Sequence, residues 1–102
     1  KDTTNAIKLD MAVTPETPLM ISPDAYAILN IHNEKSDNVD YENYVILDKS
    51  GNKYVTGSPS FWQAFLEIWI EMEKENEPYD IEVYKMESKN YKGKSFLTCS
   101  IV

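Results

Sequence analysis

The chain has 102 residues, 10 lysines and no arginine, 17 acidic side chains, a formal net charge of −7 and 42% hydrophobic residues. That length holds one domain, and the apolar share is enough for a core, so wholesale disorder is excluded. One cysteine, Cys99, and one histidine, His32, cannot supply a disulfide framework or a four-ligand zinc site, and no run of 18 apolar residues exists to cross a membrane.

Residues 1–24 read as an extended N-terminal arm carrying an edge strand. Ile7, Leu9, Met11 and Val13 alternate with Lys8, Asp10 and Ala12, and the run Thr14-Pro15-Glu16-Thr17-Pro18 then breaks the pattern. Residues 25–102 read as a single α+β domain. Ala25 to His32 is apolar on both faces, as a central strand would be, although Ser22-Pro23 suits a helix start equally, and the acidic stretch from Asn33 to Asp40 reads as a loop. Tyr44–Leu47 and Lys53–Thr56 flank Asp48-Lys49-Ser50-Gly51-Asn52, a hairpin in which Gly51 and Asn52 suit positive φ.

A helix is expected over about residues 60–75, opened by Ser58-Pro59-Ser60, with Ser60 and Gln63 matching a capping box. Phe61, Phe65, Ile68, Trp69 and Met72 form one apolar stripe; Trp62, Leu66 and Ile70 form a second beside it. So wide an apolar arc implies either that sheet and arm clasp the helix or that Trp62, Leu66 and Ile70 make a homodimer face. Ile81 with Val83, and Phe96 to Val102, read as two final strands joined by a turn over residues 88–94. The expected fold is therefore α+β, an antiparallel sheet of five or six strands with one amphipathic helix. Because the helix falls between the hairpin and the penultimate strand, where an OB-fold barrel carries its own, an OB-like sheet is one option.

Charge is unevenly spread: residues 1–84 sum to −10 and residues 85–102 to +3. Without Arg, bidentate reading of base edges is disfavoured, leaving Lys as a point charge for backbone contacts. Catalysis finds no support. His32 and Cys99 fall in apolar strands with no orienting third group, the three glycines are too dispersed for a phosphate loop, and Asp37, Asp40 and Glu42 lack the remaining positions of an EF-hand. A non-enzymatic protein without cofactor or metal is expected. The stretch that joins charge to aromaticity is Tyr84, Lys85, Lys89, Tyr91, Lys92, Lys94 and Phe96, lysines around stacking faces, as sequence-tolerant single-strand binding requires. A solubilising lysine turn has the same composition.

Residues 44–101, with Asp48-x-x-Gly51-Asn52-x-Tyr54-Val-Thr-Gly57-Ser58 leading to Phe61-Trp62, then Ser88-Lys-Asn-Tyr-Lys-Gly-Lys-x-Phe-Leu-Thr-Cys-Ser-Ile101, resemble small proteins encoded by phages and prophages of low-GC Gram-positive bacteria. Some of these are described as single-stranded DNA-binding. The resemblance implies a single-stranded nucleic-acid partner and a location in the bacterial cytoplasm, away from membranes. The chain departs from typical single-strand binders in ending on apolar Ser100-Ile101-Val102 instead of an acidic tail. The same origin and the charge of −7 suggest an alternative, an acidic inhibitor comparable in size and acidity to anti-CRISPR proteins. In that reading Asp37, Asp40, Glu42, Glu67, Glu71 and Glu75 would block the basic groove of a host protein.

Overall fold

The computed structural model describes residues 5–33, 39–88 and 93–102. In chain order the elements are β1 (Ile7–Lys8), α1 (Leu9–Ala12), β2 (Leu19–Ile21), β3 (Pro23–Asn33), β4 (Val39–Asp48), β5 (Lys53–Thr56), α2 (Pro59–Glu75), β6 (Ile81–Glu87) and β7 (Ser95–Ile101). The fold is α+β with one main helix, but the strands form two sheets in place of the single sheet of five or six expected. One has the order β1-β5-β4-β3, with β1 parallel to β5 and the rest antiparallel; the other is antiparallel, in the order β2-β6-β7.

The division originates at Ser22. The chain passes from β2 in one sheet to β3 in the other across this residue, and Pro23, which biases its predecessor to extended backbone, sets the corner. Ser22 is tied to both sheets: its amide donates to Asp48 Oδ2 at 2.8 Å, its carbonyl accepts from the Lys49 amide at 2.9 Å, and its hydroxyl donates to Asp80 Oδ1 at 2.5 Å. A second consequence is that Ala25–His32, expected at the centre of a sheet, belongs to β3 at its edge.

The alternation from Ile7 to Val13 does not extend into a strand. In a strand all four apolar residues would share a face. Instead β1 stops after two residues and α1 makes one turn, closed by the Val13 amide donating to the Leu9 carbonyl at 3.0 Å. Four residues apart on that turn, Leu9 and Val13 are fully buried, while Met11 is 76% exposed. The hairpin between β4 and β5 forms as its sequence requires. The Asp48 amide donates to the Asn52 carbonyl at 2.8 Å, and Gly51 alone takes positive φ, at 97°.

Helix α2 starts one residue earlier than expected, with Pro59 at its first position, and its cap is Ser58, not Ser60. The Ser58 hydroxyl accepts from the Phe61 amide at 3.2 Å. It ends at Asn76 in the left-handed conformation, whose amide donates to the Met72 carbonyl at 3.0 Å. Phe61 and Phe65 are fully buried, each contributing about 1.5–3 kcal/mol of hydrophobic stabilisation. They meet Tyr44, Ile46 and Tyr54 from one sheet, Ile81, Val83, Leu97 and Cys99 from the other, and Leu9, Val13 and Ile21 from the N-terminal segment. The three residues of the expected dimer stripe part company. Trp62 is buried against Tyr44 and Phe65, Leu66 is half-buried on the core, and Ile70 is 54% exposed. Among the described residues no helix is long and apolar enough to cross a membrane.

Candidate nucleic-acid interface

Strands β6 and β7 pair antiparallel, with Tyr84 opposite Thr98, Lys85 opposite Leu97, and Met86 opposite Phe96. Side chains alternate across a strand, so this register sends Ile81 and Val83 with Leu97 and Cys99 into the core and places Tyr84, Met86, Phe96, Thr98 and Ser100 together on the outer face. Met86 is 46% and Phe96 41% exposed. Tyr84 is half-buried and its hydroxyl is 2.8 Å from Ser100 Oγ, which holds the ring along the sheet. Glu82 shares that face, opposite Met20 of β2.

The residues singled out from sequence divide at this point. Tyr84 and Phe96 share the outer face. Lys85 belongs to the opposite one, and its Nζ donates to the carbonyl oxygen of Asp10 at 2.8 Å, bracing α1. Exposed Lys94 stands just before β7, where the Ser88 amide donates to its carbonyl at 2.8 Å and Gly93 takes a φ of 82°. Lys89, Tyr91 and Lys92 lie outside the described residues. Met86, which carries neither charge nor an aromatic ring, joins this face through its even spacing from Tyr84 on the strand.

The acidic candidates occupy two elements. On β4, Asp40 pairs with His32 through Oδ1 and Nδ1, and Glu42 accepts from the Tyr44 hydroxyl at 3.2 Å; both carboxylates are exposed. Burial, followed by that contact with Glu42, raises the Tyr44 pKa above the ordinary phenol value. Glu67, Glu71 and Glu75 form an exposed row along α2. Asp37 lies outside the described residues.

His32 and Cys99 stand in different sheets. His32 is exposed, whereas Cys99 is buried and its thiol is pushed up to about 12 by desolvation, a poor nucleophile. Among the described residues no group of three or more His, Cys, Asp or Glu side chains is placed to hold a metal ion. A groove of about 330 Å³ at the C-terminal end of α2, walled by Trp69, Met72, Pro78 and Tyr79 with Glu73 and Lys49 beside them, has no signature in the sequence. No protein-family model, curated protein or solved structure matches this chain.

Proposed function

We propose that the protein is a non-enzymatic, phage-type single-strand nucleic-acid binder of the bacterial cytoplasm, which uses the outer face of β6–β7 and the lysine-bearing connection between them. The observation that carries this reading is that Tyr84, Met86 and Phe96 occupy one solvent-facing surface, joined at its end to a segment holding Lys89, Tyr91, Lys92 and Lys94. Aromatic faces stack any base and lysines attract the phosphate backbone, so the combination favours single strands without base reading. The helix between β5 and β6 suits an OB-like variant of that scheme.

Titration of a fluorescent oligonucleotide tests the reading. Anisotropy rises with wild-type protein, falls as salt is added, and drops at least about tenfold in affinity for Phe96→Ala, the stacking contribution of one base. Lys89→Ala with Lys92→Ala weakens binding and flattens the salt dependence. No anisotropy change at low salt overturns the proposal.

A second reading, occlusion of a basic groove on a host protein, draws on one observation. Glu67, Glu71 and Glu75 recur every four residues on α2, which at 1.5 Å of rise per residue is a carboxylate about every 6 Å. It predicts no oligonucleotide binding and a basic partner lost on Glu71→Lys with Glu75→Lys.

A further inference from the structure

We propose that two copies of this chain associate through β3, which pairs with itself antiparallel about a two-fold axis at Ile28. Among the described residues β3 pairs with β4 alone, so its other side presents unpaired backbone N–H and C=O groups along eleven residues, about 37 Å. Free edges of that length are ordinarily guarded by lysine, proline or a bulge. Here the proline and the one register irregularity both sit at the Pro23 end, and Asp24 is the sole carboxylate in the strand.

At the middle of the edge the side chains are apolar on both faces. Tyr26 is 38% and Ile28 43% exposed although both face the α2 side, where Tyr26 packs edge-on against Trp62 and Trp69 at centroid distances of 5.4 and 5.1 Å. Ala25, Ala27, Leu29 and Ile31 line the other face, in register with Leu47, Val45, Asn43 and Tyr41 of β4. None of these six β3 residues is acidic, in a chain of net charge −7.

The occupant is specified by the strand's own sequence. With Ile28 on the axis, Ala27 meets the partner's Leu29 and Ala25 meets the partner's Ile31, small side chains against large. Tyr26 meets the partner's Asn30, and Asp24 comes level with the partner's His32, the single acid of the edge against the single histidine of the chain. Two copies carrying −7 each repel one another over most of their surfaces, whereas this edge carries a single carboxylate, Asp24. A strip about 37 Å long and about 10 Å thick, the spacing of packed sheets, covers on the order of 400 Å² per copy, about half of a standard stable interface, so the association is a weak one driven by the backbone pairing.

Sedimentation equilibrium of the full chain over a concentration series into the high micromolar range tests this. The apparent mass of the wild type rises toward twice the chain mass as concentration increases. Ile28→Lys sets two ammonium groups against each other on the axis and raises the dimer dissociation constant at least about 100-fold, like charges at an interface costing several kcal/mol. Near-UV circular dichroism of Ile28→Lys matching the wild type shows that the monomer remains folded. Should the variant lose that signal, Ile28→Cys replaces it: mild oxidation yields a disulfide-linked dimer, whereas Glu71→Cys yields none. A wild type that is monomeric throughout the series, or a dimer neither dissociated by Ile28→Lys nor cross-linked through Ile28→Cys, overturns the proposal.

Discussion

The indole of Trp62 lies flat on the ring of Tyr44, centroids 4.7 Å apart and planes within 10° of parallel. This stack joins α2 to β4, while Tyr26 meets the indole edge-on and Phe65 stacks from the next turn of the helix. Trp62→Ala opens a cavity inside that cluster and is expected to cost about 3–5 kcal/mol in urea unfolding. Trp62→Phe costs less than half as much, because it keeps a ring and also removes a buried indole N–H that has no hydrogen-bond partner.

Ser58 and Ser60 are two residues apart and chemically alike, yet only Ser58 caps α2. Ser58→Ala should lower stability by about 1 kcal/mol, the ordinary cost of losing a helix cap. Exposed Ser60→Ala should change it by under about 0.5 kcal/mol. Paired thermal melts of the two variants check the assignment.

Asp48 lends itself to a pH experiment. Burial on its own raises its pKa, but the Ser50 hydroxyl, then the Ser50 and Ser22 amides, outweigh that effect and hold the carboxyl below its usual value. With a folded-state pKa below the ~3.9 of an unfolded chain, Asp48 adds stability that is complete above that value and is lost as pH falls through the folded-state value. Asp48→Asn is therefore expected to destabilise the protein by about 1–3 kcal/mol at pH 7. The gap between variant and wild type should close below about pH 4 in denaturant titrations at stepped pH.

Cys99 should be inert. Buried, with its thiol pushed up to about 12, it stays protonated and shielded at pH 8. A chromogenic disulfide reagent should record no thiol in the native protein and one per chain in denaturant.

How far the fold is readable depends on whether a pattern is local. The hairpin at Gly51 and the helix from Pro59 rest on turn and cap chemistry within a few residues, and both form where the sequence places them, the cap shifted by two. The N-terminal alternation misleads because Leu9 and Val13 are four apart, a spacing that serves a strand face and a helical turn equally. The two-sheet division depends on contacts from Ser22 to Asp48 and Asp80, 26 and 58 residues away, beyond the reach of local periodicity. At the candidate interface the separation of Lys85 from Tyr84 is legible in the sequence. A residue adjacent to Tyr84 on a strand points to the opposite face, which is where Lys85 stands.

The pairing of β1 with β5 and of β2 with β6 has a consequence for biosynthesis. Ile7 pairs with Tyr54 and Ile21 with Ile81, so β1 and β2 have no strand to join until segments 47 and 60 residues further along have left the ribosome. During translation Leu9, Val13 and Ile21, later wholly enclosed, remain in water until those later strands emerge, so these residues settle after segments made well behind them.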